Sequence, residues 1–462
     1  MSVVFAIRKS QMPKLKSLIF LKLNFKKIKI LFLLKWIFKT IEMIHMIRYT
    51  DIEVVNVVKK VIQRSQYLDR LIKWKDHEIV KVITGIRRSG KSTLLLSLYK
   101  DYLIQTGVAS DQIIIVNLES IENEHLYHYK KLYDHINGLL HNDKMNYVMI
   151  DEIQNAFEFQ KAVDSLFIKK NVDLYITGSN AYMLSGELAT LLSGRYITLE
   201  VLPLSFKEFS EAIVSNKPTD VMYRDFVRYG GFPYVTQLLN DETLVMQYLE
   251  GIYNTILKKD IIARNRVSDV FVLEDVIRFI FDNIGNIVSA KKISDTLTSS
   301  GRKITQPTVD QYLNYLMNGY VVYKVKRFDI KGKEYLKSLE KYYLTDLGLR
   351  NYLLGFRNID RGHVLENVVY LELRRRGFDI YIGKYDDKEI DFLVKNKDGV
   401  IYIQVAETLS SKKTLERELA PLKAIKDYHP RVIITTDYDL NESYEGIKVM
   451  NVFDWLLNKV NL

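Results

Sequence analysis

The stretch GIRRSGKST, residues 85–93, restricts how this chain can fold more than any other feature. It follows the apolar run IVKVIT and opens the segment KSTLLLSLYKDYLIQTG, whose apolar residues have helical spacing. Glycines at these positions let successive backbone N–H groups point inward as a cradle for an anion, and the helix adds the positive end of its dipole. A strand, a phosphate-binding loop and a helix are therefore predicted here.

The loop supplies a first set of candidate nucleotide-binding residues. Lys91 is placed to reach the β- and γ-phosphates of a nucleotide, and Ser92 is placed to hold Mg²⁺. The residues expected to contact ATP are Gly85, Ile86, Arg87, Arg88, Ser89, Gly90, Lys91, Ser92 and Thr93. ATP and Mg²⁺ are therefore the predicted cofactors. The adjacent arginines are unusual, since many such loops carry small or neutral residues at those positions.

The second half of the predicted site is YVMIDEIQ, residues 147–154. Four apolar residues place Asp151 at the carboxyl end of a buried strand, where ligands bind in open α/β sheets. Asp151 is predicted to hold Mg²⁺ through water, and Glu152 to polarise a hydrolytic water. A phosphate-transferring kinase needs no such glutamate, so the pair favours hydrolysis of ATP. The alternative is an acidic strand end that caps the next helix.

Apolar runs alternate with helical patterns up to residue 205, which predicts a parallel, doubly wound sheet. The runs are IVKVIT (79–84), IIIVNLE (113–119), YVMID (147–151), DLYITGS (173–179) and RYITLEV (195–201). A whole strand separates the phosphate loop from Asp151 in sequence. This allows a further strand to lie between the two in the sheet.

Two more polar positions join the predicted site. The fourth run leads into Ser179 and Asn180, and one of these, with Asn180 the main candidate, is expected to sense the γ-phosphate. Arg195 opens the fifth run and is a candidate catalytic arginine that points towards the nucleotide, within the chain or across a subunit boundary. An ordinary surface arginine is the alternative interpretation of Arg195.

Several motifs together are similar to those of a known family. They are GIRRSGKST, YVMIDEIQ, YITGSNAYMLSGELATLLSGR, PLSFKEF, GGFP and KKDIIARN. The chain resembles bacterial and archaeal AAA-type ATPases that carry a C-terminal restriction-endonuclease-like domain of unknown function. The resemblance covers about Met46 to the C-terminus. It implies ATP binding by Gly90, Lys91, Ser92, Asp151 and Glu152, and it makes the arginine pair a family feature.

The patterns and the resemblance together predict an α/β fold in five parts. The parallel sheet of a P-loop ATPase is followed by a helical lid, by three short helices and a hairpin that indicate a winged helix, and by a restriction-endonuclease-like α/β domain. The expected boundaries are an extension (1–45), an AAA-type core (46–205), a helical lid (206–265), a winged helix (266–350) and the endonuclease-like domain (351–462).

The C-terminal part lacks one element that a nuclease of this class needs. Glu366 fits the helical acid and Asp391 the strand acid, but Gln404 stands where the next acid belongs, and Ala406 where the water-activating lysine belongs. Glu407, Lys412 and Lys413 are the nearest substitutes in sequence. We therefore expect a degenerate domain without nuclease activity.

Charge bears on the partners. Residues 290–345 contain eleven basic and five acidic residues, a net charge of +6, expected on the recognition helix and wing of a winged helix. This favours association with DNA, so that ATP hydrolysis drives a conformational change on DNA. The alternative is a nucleotide-dependent switch that acts on a protein partner without binding DNA. A homo-oligomer is a further expectation.

Residues 1–45 hold most of the net charge, +9 of the +11 of the whole chain. Lysines interrupt their apolar runs, so neither a membrane-spanning helix nor a signal peptide is predicted. A basic amphipathic helix on a membrane surface is one interpretation. We favour a non-native extension before a start at Met43 or Met46, and expect no membrane partner. The absence of cysteine excludes disulfides, thiolate zinc sites and cysteine nucleophiles, and fits a cytoplasmic protein.

Overall fold

A computed structural model describes residues 61–181, 192, 194–213, 217–335, 339–357, 359–397, 399–438 and 443–462. The predicted extension, residues 1–45, lies outside the described residues. The chain divides into two units, Met1–Val61 and Ile62–Leu462, and the second carries the helices and strands of the described residues. Within these residues, every helix is too short or too polar to cross a lipid bilayer.

A five-stranded parallel sheet forms the first part of the fold. Its strands are β1 (Val80–Thr84), β2 (Ile113–Asn117), β3 (Asn146–Asp151), β4 (Val172–Thr177) and β5 (Tyr196–Glu200). The order across the sheet is β2-β3-β4-β1-β5, so all five predicted strands are present and β4 is the strand that lies between β1 and β3. Strands β1 and β3 are buried along their whole length, as expected for parallel strands covered on both faces.

Helices cover both faces of this sheet. They are α1 (Ser65–Trp74), α2 (the consecutive segments Lys91–Thr93, Leu94–Tyr99 and Lys100–Gln105), α3 (Tyr129–Leu139) and α4 (Phe159–Phe167). Alternate residues of β3 face opposite layers: Val148 and Ile150 pack with α3 and α4, whereas Tyr147 and Met149 pack with α1 and α2. The sheet is therefore sandwiched between two helical layers, which leaves its strand ends to form a site.

A helical region and a small antiparallel sheet follow. The helices are α5 (Phe206–Ala212), α6 (Thr219–Tyr229), α7 (Glu242–Thr255, continued by the π-helical segment Ile256–Ala263), α8 (Val270–Asp282), α9 (Ala290–Ser299) and α10 (Gln306–Asn318). The strands of this middle sheet are β6 (Ile287–Val288), β7 (Val322–Val325) and β10 (Glu340–Leu344), in the order β6-β10-β7. The winged-helix assignment of this region stays a prediction.

The last part of the fold is an eight-stranded sheet, the C-terminal sheet, of order β15-β16-β14-β13-β12-β11-β8-β9. Its strands are β8 (Arg327–Asp329), β9 (Glu334–Tyr335), β11 (Asp379–Tyr385), β12 (Lys388–Asn396), β13 (Gly399–Ala406), β14 (Arg431–Thr435), β15 (Ser443–Tyr444) and β16 (Ile447–Asn451). The accompanying helices are α11 (Leu347–Leu354), α12 (Arg361–Arg375), α13 (Lys412–Ala424) and α14 (Val452–Leu456).

The structure departs from the predicted boundary at residue 350. Strands β8 and β9, expected in the wing of a winged helix, form a hairpin that extends the C-terminal sheet, because β8 pairs in parallel with β11. The edge of β11 offers unpaired backbone groups, and a nearby extended segment satisfies them. The middle region and the C-terminal sheet are thus joined through a shared strand pairing as well as through the chain.

Helix α12 ties the C-terminal part to the parallel sheet. The Arg374 guanidinium forms a salt bridge with Glu200 at the end of β5, and Arg375 donates to the carbonyl of Pro203 at 3.1 Å. On the other side, Gln66 and Arg70 of α1 donate to the carbonyl of Arg375 at 3.0 and 3.3 Å. The C-terminal end of α12 is therefore fixed to the region where β5 ends.

A buried carboxylate joins the helical region to the start of α11. Asp346 accepts hydrogen bonds from the backbone N–H groups of Gly231 at 2.7 Å and Leu349 at 3.2 Å. Burial raises the pKa of Asp346 to about 6, and the backbone donors oppose that rise. A Cβ atom at Gly230 would lie 2.2 Å from Asp346 Oδ1, and Gly230 has a φ of +79°, so this turn requires glycine.

The raised pKa predicts how stability depends on pH. Between about pH 4 and about pH 6 the folded chain holds a proton on Asp346 that the unfolded chain has lost. The free energy of unfolding of the wild type relative to Asp346→Asn should therefore fall as the pH rises, by on the order of 2–3 kcal/mol. Chemical denaturation of both proteins across this range measures the difference. A difference that stays constant or grows with pH would contradict the assignment.

Candidate nucleotide-binding site

The predicted phosphate loop joins β1 to α2 at the carboxyl ends of the parallel strands. Gly85 has a φ of +134°, and a Cβ atom there would lie 2.3 Å from the carbonyl oxygen of Val201, so only glycine fits against the chain after β5. Gly90 has a φ of +97° and stands immediately before α2. These two glycines bend the backbone so that the loop faces the amino end of the helix.

Lys91 lies inside the loop. Its ammonium donates to the carbonyl oxygens of Gly85 at 3.0 Å and Ile86 at 3.1 Å, and its side chain is buried. Burial lowers the pKa of Lys91, while the carboxylates of Glu152 and Asp151 act in the opposite direction. A cation held on two neutral carbonyls close to two acids is electrostatically ready to pair with a phosphate.

Ser92 and Asp151 lie together, as the sequence led us to expect of a Mg²⁺ site. Ser92 Oγ donates to Asp151 Oδ1 at 3.0 Å, and Thr177 Oγ1 of β4 donates to the same oxygen at 2.6 Å. Burial raises the pKa of Asp151, and the hydrogen bonds from Thr177 and Ser92 counteract it. Hydroxyl and carboxylate oxygens are the ligands that Mg²⁺ prefers.

Glu152 follows β3 in a left-handed conformation, with a φ of +52°. Its backbone N–H donates to Thr177 Oγ1 at 3.0 Å, and its Oε2 accepts from Ser179 Oγ at 3.2 Å and from the amide of Gln154. Asn180, the residue after Ser179, is also buried at the end of β4. Strand β4 thus brings the predicted γ-phosphate sensors to the predicted water-polarising glutamate.

The remaining loop residues have diverse surroundings. The Ile86 side chain packs into the hydrophobic core with Leu202 and Leu204, so only its backbone faces the loop. Ser89 is buried within the loop, whereas Thr93 is exposed on α2. Of the predicted contact residues, Ile86 is therefore the one whose side chain packs away from the loop.

The two arginines of the loop differ in their surroundings. Arg87 forms a two-pronged salt bridge with Asp260 of α7, at 3.0 and 3.2 Å, and a further bond of 2.9 Å with Glu119 after β2. The Asp260 carboxylate counteracts the desolvation of Arg87, and the pKa of Arg87 is raised. Arg88 is exposed and has a φ of +67°. Arg87 therefore connects the loop to the helical region.

Asp260 also lies next to Arg264, which the sequence analysis did not single out as a site residue. Arg264 Nη2 is 4.0 Å from Asp260 Oδ1, and 29% of the Arg264 side chain is exposed. Burial lowers the pKa of Arg264, while the charges of Asp260 and Glu152 oppose that change. Helix α7 thus presents an arginine close enough to the site for the charge of Glu152 to affect its pKa. The only signal in the sequence was its place in the motif KKDIIARN.

Arg64 is a second residue that the sequence analysis missed. It is buried just before α1, and its guanidinium donates to the carbonyl of Ser89 at 2.8 Å, to the carbonyl of Leu202 at 2.7 Å and to Glu208 at 2.9 Å. One side chain thereby fixes the phosphate loop to the chain after β5 and to α5. No local pattern in the sequence marks Arg64, since its partners are 25, 138 and 144 residues away.

The structure places Arg195 away from the nucleotide site of its own chain. Its carbonyl accepts from the N–H of Val80 at the start of β1, whereas the loop follows the end of that strand, roughly 16 Å away at a rise of about 3.3 Å per residue. The Arg195 side chain pairs with Asp164 at 3.4 Å and lies over the ring of Phe167. A catalytic role of Arg195 within the chain is therefore wrong, and a role across a subunit boundary stays a prediction.

The residues present fit an ATP·Mg²⁺ complex. Two buried oxygens in the site, Ser89 Oγ and Gln154 Oε1, have no hydrogen-bond partner among the described residues. One lies in the loop, and the other lies on the side chain that contacts Glu152. Together with the oxygens of Ser92 and Asp151 and the ammonium of Lys91, they offer the donor and acceptor set that a nucleotide and its metal ion require.

Two family models match the chain. One, described as an AAA domain, matches residues 77–210, and the other, described as a domain of unknown function (DUF8612), matches residues 221–360. Among solved structures, the chain aligns with a Walker-type ATPase of Pyrococcus abyssi with a TM-score of 0.46 and 15% identity, over 64% of this chain and 96% of that one.

Two relatives align over most of their length. An uncharacterized protein of Haemophilus influenzae is 42% identical over 403 residues, which cover 86% of this chain and 99% of the relative. An uncharacterized protein of Methanocaldococcus jannaschii is 31% identical over 367 residues, which cover 75% of this chain and 79% of the relative. The chain therefore belongs to one family with these two proteins, and its core is an AAA-type ATPase domain.

Proposed function

We propose that this chain binds ATP with Mg²⁺ at the site formed by Lys91, Ser92, Asp151 and Glu152, and hydrolyses it. The observation that carries the proposal is the Ser92 Oγ–Asp151 Oδ1 hydrogen bond of 3.0 Å, which joins the phosphate loop to the strand end that also holds Glu152. When bound, Mg²⁺ neutralises phosphate charge and orients the phosphates. The AAA domain match supports ATP hydrolysis at the level of the family.

Each residue has a defined task in this proposal. The ammonium of Lys91 leaves the carbonyls of Gly85 and Ile86 and binds the phosphates. Glu152 accepts a proton from the attacking water, and the hydrogen bond from Ser179 orients the Glu152 carboxylate. Ser179 and Asn180 follow β4 after Gly178, so a change at the γ-phosphate reaches Glu152 through one short segment.

The hydrolysis cycle is proposed to move the helical region relative to the core. Arg87 of the loop and Arg264 of α7 both face Asp260, so the loop and the lid share one carboxylate. Phosphate charge in the loop competes with Asp260 for these guanidinium groups, because arginine binds phosphate through paired hydrogen bonds. The occupancy of the site is thereby converted into a change in the contact between loop and lid.

Association with DNA through the middle region is the further part of the proposal. Lys291 and Lys292 of α9 and Lys303 before α10 are exposed. They belong to the region whose net charge suggested phosphate contacts. Helix α10 is the expected recognition helix, and its one charged residue is the acidic Asp310. The basic side chains of this region therefore lie beside that helix and not on it.

A nucleotide-dependent switch that acts on a protein partner is the competing proposal. One observation supports it: several basic residues of the middle region already have partners within the chain and are less available to DNA phosphates. Arg302 pairs with Asp275, Lys324 pairs with Glu340, and Lys341 is buried. The restriction-endonuclease-like assignment of the C-terminal part, a homo-oligomer and a cytoplasmic location stay predictions.

The catalytic assignment predicts different kinetic effects for two variants. Lys91→Ala should weaken ATP binding and reduce turnover, because the buried ammonium is lost from the loop. Glu152→Gln should keep ATP affinity but lower kcat by about 10²–10⁴-fold, because the amide cannot accept the proton of the water. Steady-state turnover together with binding of a fluorescent ATP analogue separates the two effects. Undiminished turnover in Lys91→Ala would overturn the site assignment.

The lid arginine yields a second prediction. Arg264→Ala should lower kcat by about 10²-fold, as expected when one positioned donor to the phosphates is removed. Arg266→Ala is the matched control, since Arg266 is exposed two residues further along the chain. Equal turnover in both variants would show that Arg264 only pairs with Asp260.

DNA association is tested by ATP turnover with and without duplex DNA. Stimulation that falls steeply with salt is expected, and replacing the exposed pair Lys291 and Lys292 by glutamine should remove it. The same replacement of Lys412 and Lys413, an exposed pair on α13, is the control for loss of charge. Equal rates with and without DNA would exclude the DNA proposal and favour the switch that acts on a protein.

A further inference from the structure

A lysine from another part of the fold lies among the acids that the sequence placed in a nuclease-like site. Lys341 Nζ of β10 is 2.8 Å from Glu366 Oε1 of α12, 2.8 Å from Glu389 Oε1 and 3.9 Å from Asp391 Oδ1 of β12. Only 4% of the Lys341 side chain is exposed. One ammonium thus faces three carboxylates, which we name the acid cluster: Glu366, Glu389 and Asp391.

Donors of the chain occupy the oxygens of the two least exposed acids, Glu366 and Asp391. Glu366 Oε1 accepts from Tyr343 as well as from the lysine, and Glu366 Oε2 faces His363 Nδ1 at 3.5 Å. Asp391 Oδ2 accepts from the backbone N–H of Val405 at 2.8 Å, and Asp391 Oδ1 faces the lysine. The lone pairs that would bind a cation are therefore directed at groups of the protein itself.

The glutamine at the third position fits this arrangement. Gln404 Nε2 donates to Glu418 Oε2 of α13 at 3.0 Å, and Gln404 Oε1 accepts from the N–H of Asp391 at 3.4 Å. A glutamate at position 404 would set two carboxylates against each other, so an amide is the side chain that these neighbours favour. The neighbours of Gln404 thus give a structural reason why a glutamine stands where the nuclease pattern has an acid.

Ala406 and two of the substitutes suggested by the sequence, Glu407 and Lys412, have surroundings other than the acid cluster. Ala406 is buried in a hydrophobic cluster, and Glu407 pairs with Arg361 at 2.8 Å. Lys412 is 90% exposed and faces Glu416. Among the described residues, no group of three or more histidine, aspartate or glutamate side chains is arranged to hold a metal ion. In the acid cluster, the ammonium of Lys341 lies between the carboxylates, and the test below removes it.

Strand β10 is fixed against α12 beside the lysine. The ring of Tyr343 stacks on that of Tyr370, with centroids 4.5 Å apart and an interplanar angle of 15°. Asn367 of α12 accepts from the N–H of Leu344 at 2.7 Å and donates to its carbonyl at 3.0 Å. The lysine is therefore held in place by packing and by backbone hydrogen bonds on the same strand.

We propose that Lys341 is the resident cation of the acid cluster, so that β10 and α12 form an ionic joint where a nuclease would bind a divalent metal. The joint anchors α12 near Glu366, while Arg374 and Arg375 anchor its other end to the ATPase core. Helix α12 is therefore a strut between the core and the middle sheet. The acids of the cluster, on α12 and β12, serve this attachment instead of metal-dependent cleavage of nucleic acid.

The test measures Mn²⁺ binding to the full chain without nucleotide, by electron paramagnetic resonance of free Mn²⁺. Wild type is compared with Lys341→Met and with the control Lys324→Met, which removes a lysine from neighbouring β7 that pairs with Glu340. Lys341→Met is expected to bind one Mn²⁺ ion at the acid cluster at least about tenfold more tightly than the wild type binds Mn²⁺ there. The reason is that three carboxylates are left without their counter-ion. Adding Glu366→Gln should abolish that site, and Lys324→Met should behave as wild type.

Three outcomes would overturn the proposal. The first is a Mn²⁺ site in the wild type that Glu366→Gln removes. The second is a folded Lys341→Met protein without a new site. The third is Mn²⁺-dependent nicking of plasmid DNA by the wild type that Lys341→Met abolishes, since the lysine would then serve cleavage.

A further variant keeps the test decisive if Lys341→Met does not fold. The triple substitution Lys341→Met, Glu366→Gln and Asp391→Asn removes the unpaired buried charges, and its cooperative thermal melting should return. Failure of the triple variant to fold, while Lys324→Met folds, would contradict a joint held by charge pairing.

Discussion

The buried guanidinium of Arg64 is the interaction on which the geometry of the candidate site depends. A buried charge must be paired and hydrogen-bonded, and Arg64 meets this need with the carbonyls of Ser89 and Leu202 and the carboxylate of Glu208. Breaking a buried pair of this kind typically costs about 3–5 kcal/mol. The phosphate loop therefore keeps its shape relative to the chain after β5 and to α5, and the site keeps its shape with them.

The same region connects the loop to the rest of the molecule. Gly85 of the loop packs against the chain after β5, and Glu200 at the end of β5 pairs with Arg374 of α12. On the other side of the loop, Arg87 binds Asp260 of the lid. The phosphate loop thus has one direct contact with α7, through Arg87 and Asp260, and one short route to α12 through the chain after β5. These contacts are the ones through which the proposed ATP cycle would move the attached parts of the fold.

Local sequence patterns were sufficient for the parallel sheet and for bringing the main candidate site residues together at its edge. Strand, loop and helix follow each other within residues 79–107, and Asp151 ends a strand of four apolar residues, so Lys91, Ser92, Asp151 and Glu152 could be placed from the sequence. The sequence allowed for one further strand between the loop's strand and that of Asp151, and β4 takes this place; the full order was not predicted. These features depend on neighbours in sequence, which a single chain displays directly.

Contacts between segments that are distant in the chain could not be predicted from local sequence patterns. Arg87 and Asp260 are 173 residues apart, and nothing local in either motif indicates the other. The charge count of residues 290–345 treated Lys341 as a phosphate-binding residue, although it is buried in the acid cluster. Arg195 appeared near the site because it opens a strand, whereas nucleotide sites in parallel sheets form where strands end.

The most direct test of the account is a crystal structure of the chain with Mg²⁺ and a non-hydrolysable ATP analogue. The account predicts the terminal phosphates on Lys91, which leaves the carbonyls of Gly85 and Ile86, and the metal ion beside Ser92 and Asp151. An analogue bound elsewhere, or a Lys91 ammonium still bonded to the two loop carbonyls beside a bound analogue, would contradict it.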